Sequence, residues 1–320
     1  MEPNKDLIRK AFEDNKIKLY TSSDIVIDKK IGEGSFGTVF KAKLGDNKVA
    51  IKLLDKIDFK TDVSGGEDEV IRSIINELKA MTKIEHEQIP KFYGVYETVE
   101  KESTVFGLIF SFIEGVTLQR FLTDNKNMSN ITRCEILLGL LNVISVIHKN
   151  GVIHRDIKPE NVMITPEKGV VLLDFGISKI SEKTVTYTNG RRMTPKYSAP
   201  EALIDRNDNE DPEFAITKKF DVWSIGCVIS EMFSGVNPWS NKFKDDHRIL
   251  FAMQKGAQFT IEGFKEKTDF PFDKTFPIDF PEVFELANKC LVRNVSKRLT
   301  SDELIIELNK LLEFYKSKEK

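Results

Sequence analysis

Short apolar runs rich in β-branched residues, separated by glycine-containing turns, fill residues 25–55. Two further runs of this kind follow at 92–98 and 105–110. Between the two groups, four apolar residues recur at helical spacing: Val70, Ile74, Leu78 and Met81. The runs are typical of antiparallel strands, whereas the wider spacing is typical of an amphipathic helix. The first third of the chain is therefore predicted to be a small antiparallel sheet with one main helix.

After residue 115 the hydrophobic pattern becomes mainly helical. It predicts helices at 117–123, 129–150, 219–234, 244–254, 281–291 and 301–316, with short strands at 162–164 and 170–173. The most apolar stretch, 136–147, contains Gly139, Asn142 and Ser145 and is shorter than the roughly 20 residues of a membrane span. It is therefore predicted to be a buried helix, within a helix-rich lobe that a short hinge joins to the strand-rich one.

Composition narrows the classes of function. The 320 residues include 48 lysines and arginines and 50 aspartates and glutamates, so the formal net charge of −2 argues against a mainly electrostatic nucleic-acid partner. The three cysteines, Cys134, Cys227 and Cys290, have no zinc-type spacing and are expected to pack as free thiols in a reducing intracellular compartment. Because the N-terminus has neither an apolar signal core nor a Met-Gly start, we expect a soluble, cytoplasmic protein without a membrane partner, with a nuclear location left open.

A glycine-rich segment, "IGEGSFGTV" at residues 31–39, leads directly into β-branched residues. A dinucleotide-binding fold would continue into a helix after this glycine spacing, so that class of enzyme is disfavoured. Glycines between two antiparallel strands expose backbone N–H groups without a Cβ in the way, which suits close approach to phosphates. From this motif alone, a phosphate-binding loop and an ordinary hairpin turn are equally acceptable interpretations.

The segment "VAIK" places Lys52 on a following strand. A lysine that contacts phosphate oxygens needs a carboxylate to hold it, and Glu77 on the predicted helix is the candidate. In isolation, a lysine at a strand edge and a solvated glutamate on a helix face would explain the same two residues.

Polar residues crowd the segment "VIHRDIKPEN", residues 152–161, directly after the most apolar helix. The sequence "DFG" begins at Asp174, and the two strands between it and Asn161 can form a hairpin that brings these two residues together. Amide and carboxylate oxygens are ligands that Mg²⁺ prefers, with substrate phosphates completing the octahedron. Asp156 is then left to accept a proton, and Lys158 is close enough in sequence to neutralise transferring charge.

These segments, together with "APE" at 199–201, occur in the order of the eukaryotic protein kinase family, which the chain resembles from about residue 25 to residue 312. The resemblance implies an α+β, two-lobed protein kinase fold, with a small antiparallel β-sheet N-lobe containing one main helix and a larger, mainly helical C-lobe. It implies an N-terminal extension at 1–24, an N-lobe at 25–110, a hinge at 111–115, a C-lobe at 116–312 and a tail at 313–320. Residues 1–21 are either a helix laid on the N-lobe or a disordered segment.

By this resemblance the chain transfers the γ-phosphoryl group of ATP to protein hydroxyls, with ATP and Mg²⁺ as implied ligands. Asp156 would deprotonate the attacking hydroxyl, and Lys158 would lie near the γ-phosphate. Lys52, held by Glu77, would contact the α- and β-phosphates. The implied catalytic residues are Asp156, Lys158, Lys52, Glu77 and Thr194, and the implied metal ligands are Asn161 and Asp174. The implied nucleotide contacts are Ile31, Gly32, Glu33, Gly34, Ser35, Phe36, Gly37, Thr38, Val39, Ala50, Lys52, Phe110, Ser111, Ile113 and Met163.

The acceptor residue and the regulation are also implied by the resemblance. The chain resembles the serine/threonine-specific branch at two positions. Lys158 lies two residues after the implied base, and Thr194 lies at the position that contacts the base and the lysine. Arg155 resembles the arginine that receives an activation-loop phosphate. We hypothesise that an upstream kinase phosphorylates Thr186 or Thr188 in that role.

Two features follow the predicted activation segment. The resemblance implies that Glu201 of "APE" forms a buried ion pair with Arg298 of "SKRLT", which would hold the helical lobe together rather than take part in chemistry. The acidic segment 205–213 either faces water or favours basic substrates or a partner, and a solvated loop is the expectation.

The implied partners are protein substrates with serine or threonine acceptors, and a monomer is the default state. The alternative function is a pseudokinase scaffold that binds partners without catalysis. Loss of Lys52, Asp156, Asn161 or Asp174 would indicate that alternative, and all four are present.

Overall fold

The computed structural model describes residues 5–34, 37–53, 75, 78, 82, 84–100, 103–166, 169–174, 179–180, 194–202, 216–239, 249 and 280–319. The chain divides into two compact units, Met1–Glu114 and Gly115–Lys320. This division does not test the finer predicted bounds of the lobes, the hinge, the N-terminal extension and the tail, which stay predictions. Several predicted features lie outside the described residues: Ser35, Phe36, Glu77, Met81, Thr186, Thr188, the acidic segment 205–213 and all of the helix 244–254 except Ile249.

The first unit is built on a six-stranded sheet. Its elements are α1 (Lys5–Asp14), β1 (Leu19–Tyr20), β2 (Ile25–Gly34), β3 (Gly37–Leu44), β4 (Asn47–Leu53), β5 (Phe92–Glu100) and β6 (Ser103–Ser111). The spatial order is β1-β5-β6-β4-β3-β2, and every pairing is antiparallel except that of β1 with β5. Ile75, Leu78 and Thr82 are helical, at the place where the sequence predicts the main helix of this lobe. The small sheet predicted from the sequence is thus confirmed.

The N-terminal segment is a helix and a strand, which decides between the two interpretations that the sequence left open. Ile8 and Phe12, one turn apart on α1, are buried, and the ring of Phe12 meets the edge of Phe106 with 5.8 Å between centroids. Burial of two large apolar side chains explains why so short a helix is stable here, since isolated helices of this length are marginal in water.

The second unit is mainly helical. Its elements are β7 (Val116–Thr117), α2 (Leu118–Asp124), α3 (Asn130–Lys149), β8 (Val152–Ile153), β9 (Val162–Thr165), β10 (Gly169–Leu172), β11 (Lys179–Ile180), α4 (Lys219–Ser234), α5 (Pro281–Cys290) and α6 (Ser301–Lys318). Side chains at the N-caps fix several helix starts: Ser129 accepts from the Thr132 N–H, and Thr300 forms a capping box with Glu303. The last helix continues beyond residue 312, the predicted end of the lobe.

Helix α3 is the most apolar element and has 20 residues, so the helix exceeds the apolar stretch seen in the sequence. By length and composition alone it is able to cross a membrane, but more than half of its apolar window is buried inside the protein. Its buried side chains pack chiefly against α6 and β10. This packing supports the predicted buried helix and gives no independent indication of a membrane span.

Two polar features of the core follow the sequence predictions. Glu201 and Arg298 form a bidentate ion pair, with distances of 2.6 Å and 3.0 Å, and both side chains are almost completely buried. The three cysteines are unpaired and buried, and burial raises the pKa of Cys134 and of Cys290 to about 12, so their thiols stay protonated. Both predictions are confirmed.

Removal of the Arg298 side chain should strongly destabilise the second unit. Arg298→Met leaves the Glu201 carboxylate buried without its partner and frees the carbonyls of Val292 and Lys219, to which Arg298 also donates. Loss of one partner of a buried pair typically costs about 3–5 kcal/mol. Urea unfolding followed by tryptophan fluorescence measures this loss, because both tryptophans, Trp223 and Trp239, lie in this unit.

The matched control is Arg120→Ala, which removes an arginine from an exposed ion pair with Asp124. This change should be close to neutral, since exposed pairs contribute little. Equal losses for the two arginine variants would contradict the structural role assigned to Glu201 and Arg298.

Candidate active site

Four polar side chains of the second unit form one hydrogen-bonded network around Asp156. The carboxylate of Asp156 accepts hydrogen bonds from Thr194 Oγ1 at 2.9 Å and Asn161 Nδ2 at 2.8 Å, and it forms an ion pair with Lys158 Nζ at 2.7 Å. Lys158 Nζ also donates to Thr194 Oγ1 at 2.8 Å. Asp156 is buried, whereas Lys158 keeps 14% of its side chain exposed. The network therefore fixes a carboxylate and an ammonium group side by side at the edge of the solvent.

The hairpin of β9 and β10 brings Asn161 next to Asp174. The register pairs Val162 with Leu172. Asn161, which precedes Val162, and Leu173, which follows Leu172, therefore lie opposite one another at one end of the hairpin, and Asp174 is the next residue. The backbone confirms this, since the N–H of Leu173 donates to the carbonyl of Asn161 at 2.8 Å. The predicted proximity of these two residues is thus present in the backbone, and their role as metal ligands stays a prediction.

The donor set at this end of the hairpin fits a hard cation. The amide nitrogen of Asn161 donates to the backbone carbonyl and to the carboxylate of Asp156, at 2.7 Å and 2.8 Å. These bonds orient the amide so that its oxygen faces away from Asp156, and no described residue donates to that oxygen. An amide oxygen and a nearby carboxylate are groups that Mg²⁺ accepts as ligands.

Two residues of the site have left-handed backbone conformations. The φ angle is 71° at Arg155 and 60° at Asp174. Residues other than glycine adopt this region at a cost of order 1–3 kcal/mol, so it persists only where the surrounding structure enforces it. The two strained residues lie immediately before Asp156 and at the implied metal ligand, so the strain coincides with the candidate chemistry.

The carboxylate of Asp221, in the first turn of α4, anchors the backbone of the segment 154–161, which carries Asp156, Lys158 and Asn161. It accepts the backbone N–H groups of His154 and Arg155, each at 2.8 Å, and its side chain is fully buried. His148 Nε2 donates to the same carboxylate at 2.8 Å, and the other ring nitrogen of His148 lies 3.0 Å from Ser301 Oγ. Helices α3, α4 and α6 therefore meet at one buried polar centre.

Burial alone would raise the pKa of Asp221, but the other groups reverse this effect. The hydrogen bond and charge of His148, the charge of His154 and the backbone N–H of Arg155 together hold the pKa of Asp221 below its ordinary value. The carboxylate is therefore ionised at neutral pH, as its role of accepting three hydrogen bonds requires.

The segment that carries Thr194 is fixed on the same helix as Asp221. The carbonyl of Tyr197 accepts from Ser224 Oγ at 2.8 Å, and the hydroxyl of Tyr197 donates to Glu231 at 2.6 Å. Burial and the neighbouring carboxylate raise the pKa of Tyr197 above its ordinary range, which keeps this hydroxyl protonated. Helix α4 thus positions both the loop of Asp156 and the segment of Thr194.

In the first unit, the predicted nucleotide contacts fall into two groups. The glycine-rich segment lies at the end of the β2–β3 pairing, where Gly34 pairs with Gly37 and Gly37 has a φ of 121°. The carboxylate of Glu33 forms an exposed ion pair with Lys30, at 2.5 Å. Gly32, Thr38 and a half-exposed Ile31 lie on the same two strands.

The second group shares one face of the sheet. Lys52 pairs with Val39, and Ala50, two residues before Lys52, pairs with Phe110. Directly paired residues and alternate residues of a strand point to the same side of a sheet. These four predicted contacts therefore lie on one face of the sheet. Ser111 and Ile113 follow Phe110 at the end of this unit, whereas Met163 lies on β9 of the second unit.

Sequence reasoning did not identify His148, Ser301 or Tyr197 as part of the support of the site. Each contacts a partner far away in the chain, so no local spacing indicates its role. Tyr197 directly precedes "SAPE", which is the only local signal, whereas His148 is one more polar residue at the end of an apolar helix.

The family model described as "Protein kinase domain" matches residues 25–307. The chain is 31% identical over 71% of its length to "Probable serine/threonine-protein kinase PknB" of Lactococcus lactis, and 27% identical over 86% to "MAP kinase kinase kinase mkh1" of Schizosaccharomyces pombe. It is 28% identical over 91% of its length to "Serine/threonine-protein kinase cds1" of Schizosaccharomyces pombe.

The family match covers most of the chain, and the chain therefore belongs to the protein kinase family. The two-unit architecture, a small sheet and a mainly helical region, agrees with the fold of that family. The matched regions span 34%, 23% and 59% of the three relatives, so the chain corresponds to less than two thirds of each.

Asp221→Asn should lower the free energy of unfolding at neutral pH and make this free energy depend less on pH. Because folding lowers the pKa of Asp221, the carboxylate contributes stability above its ordinary pKa of 3.8, and this contribution is lost as the pH falls through the lower, folded-state value. The measurement is the free energy of unfolding of both proteins from neutral pH to below pH 3.8. Parallel curves for the variant and the wild type would contradict the assignment, and Asp124→Asn, at an exposed carboxylate, is the control.

Proposed function

We propose that the chain is an active serine/threonine protein kinase, which transfers the γ-phosphoryl group of ATP to protein hydroxyls with the assistance of Mg²⁺. The observation that carries the proposal is the network of Asp156, Lys158, Thr194 and Asn161, in which a buried carboxylate, an ammonium group and an amide are fixed at hydrogen-bonding distance. Phosphoryl transfer depends mainly on positioning and charge neutralisation, and this network supplies both.

Asp156 has the environment of a group that orients a hydroxyl and takes its proton. Its carboxylate is held from two sides, so one geometry is maintained for an incoming substrate. Lys158 places a positive charge next to the base, where it neutralises charge on the transferring group. Asn161 has a double role, because its nitrogen orients Asp156 and its oxygen is directed away.

The residues proposed to hold Mg²⁺ are Asn161 and Asp174. The bound ion would supply neutralisation of phosphate charge, which is the usual contribution of Mg²⁺ to phosphoryl transfer. Lys52, on the shared face with Val39, Ala50 and Phe110, is proposed to contact the α- and β-phosphates, held there by Glu77. The glycine-rich hairpin is proposed to contact the nucleotide through its backbone.

The acceptor is proposed to be serine or threonine. Lys158 and Thr194 hydrogen-bond to one another and to Asp156, and this combination resembles the serine/threonine-specific branch of the family. Two of the three relatives carry serine/threonine-protein kinase in their names. A scaffold that binds partners without catalysis is the alternative, and the presence of every implied catalytic residue weighs against it.

Regulation through the activation segment is part of the proposal. Arg155 directly precedes the proposed base in the sequence and is buried, and an arginine in this place suits a phosphothreonine through charge-assisted hydrogen bonds. Thr186 and Thr188 are the proposed acceptors of an upstream kinase. A cytoplasmic location, expected from the cysteine content, remains a proposal.

Asp156→Asn should reduce phosphorylation of peptide substrates by about 10²-fold or more, because the amide cannot take the proton of the attacking hydroxyl. The measurement uses the full chain, radiolabelled ATP with Mg²⁺ and a panel of basic and acidic peptides, followed by identification of the phosphorylated amino acid. The control is Asp124→Asn, which makes the same change at an exposed position of α2. Phosphotyrosine as the main product would contradict the proposed acceptor, and inactivity of the phosphorylated wild type would favour the scaffold.

Combined replacement of Thr186 and Thr188 by alanine should lower activity and abolish its increase after treatment with an upstream kinase. The proposed reason is that the buried guanidinium of Arg155 then has no phosphate to receive. The measurement is the activity of both proteins before and after phosphorylation, with hydrogen exchange of the activation segment as a second readout. Unchanged activity together with unchanged exchange would rule out these two residues as the switch.

A further inference from the structure

Specific side-chain contacts hold the N-terminal segment against the rest of the first unit. The guanidinium of Arg9 donates through Nε to both carboxylate oxygens of Glu97, at 3.1 Å and 3.2 Å, and its terminal nitrogen NH2 also donates to this carboxylate. Only 10% of the Glu97 side chain is exposed. Beside this ion pair, Ile8 and Phe12 are buried, and Phe12 contacts Phe106 on β6. An ion pair and two apolar side chains therefore fix α1 on the sheet.

The sheet edge is shaped to receive the strand that follows α1. Leu19 and Tyr20 pair in parallel with β5, and the N–H of Val95 donates to the carbonyl of Lys18 at 2.8 Å. A Cβ on Gly94 would lie 2.3 Å from that same carbonyl oxygen, and Gly94 has a φ of 146°. The pairing of β5 with β6 is irregular at this point. Glycine at position 94 thus permits a close approach that any other residue would block.

The pairing register connects this strand to Lys52 in a single row across the sheet. Leu19 pairs with Val95, Val95 pairs with Leu108, Leu108 pairs with Lys52, and Lys52 pairs with Val39. Paired residues lie on the same face of a sheet, so their side chains are neighbours on that face. Val95 and Leu108, which lie between the N-terminal strand and the lysine, are both buried.

We propose that the segment of residues 5–20 positions Lys52 for nucleotide binding, acting through Val95 and Leu108. This inference rests on the proposed function, because it assigns Lys52 to the nucleotide. Close-packed side chains transmit displacement rather than absorb it. If α1 and β1 dissociate from the sheet, Val95 loses its neighbour Leu19. Val95 pairs with Leu108, and Leu108 pairs with Lys52, so the loss reaches the lysine through one intervening residue. Arg9 and Phe12 are positioning residues, since they act on Lys52 only through the sheet.

The test uses full-length Arg9→Ala, Arg9→Glu and Phe12→Ala variants and the charge-reversed double variant Arg9→Glu/Glu97→Arg. The Michaelis constant for ATP should rise about fivefold or more, the lower end of ordinary coupling between sites, while the constant for the peptide substrate stays unchanged. The double variant should recover most of the ATP affinity that Arg9→Glu alone loses. Arg120→Ala, at an exposed ion pair of the second unit, is the matched control.

A second measurement separates this inference from the proposed function. Amide exchange of β4, measured without nucleotide, should accelerate in Arg9→Ala and return towards the wild-type rate in the charge-reversed double variant. A lower melting temperature with an unchanged constant for ATP and unchanged β4 exchange would show a merely stabilising segment and overturn the inference. If the wild type itself does not use ATP, the proposed function fails, and β4 exchange still decides whether residues 5–20 hold the Lys52 strand.

Discussion

The candidate active site depends on a single buried carboxylate, that of Asp221. A buried charge is unfavourable unless its hydrogen bonds are complete, and here His148 and two backbone N–H groups provide them. Those two groups belong to His154 and Arg155, the residues immediately before Asp156. The same bonds offset the left-handed conformation of Arg155, whose φ is 71°. Helix α4 therefore determines where the backbone that leads into Asp156 lies.

Asp156 is also connected to helix α4 by a second route, through Thr194. Asp156 accepts from Thr194, and the segment after Thr194 returns to α4 through two contacts, those of Tyr197 with Ser224 and with Glu231. The proposed base and the residue that contacts it are thus fixed from the same element. A site that catalyses mainly by positioning requires this kind of rigid support, since displacement of a reacting group by about 1 Å can slow a reaction by about 10²-fold.

The sequence predicted the elements that rest on local patterns. Strands β2 to β6 and the β9–β10 hairpin follow from periodicity, and the pair of Glu201 and Arg298 follows from the resemblance to the kinase family. It left the N-terminal segment undecided, because a few apolar residues do not reveal whether a surface exists to bury them. The two-residue strand β1 has no period to detect, and its pairing depends on Gly94, more than 70 positions away. The partners of His148 and Tyr197 were inaccessible for the same reason, since tertiary packing alone brings them together.

A double-mutant cycle between Asp221 and Asp156 tests most directly whether the buried carboxylate serves the catalytic base. The rate of ATP-dependent peptide phosphorylation is measured in single-turnover reactions for the wild type, Asp221→Asn, Asp156→Asn and the double variant. If Asp221 acts by holding Asp156, its replacement should slow the wild type strongly and have little further effect once Asp156 is absent. Equal factors of rate loss in both backgrounds would show that Asp221 acts independently of Asp156 and would contradict this account.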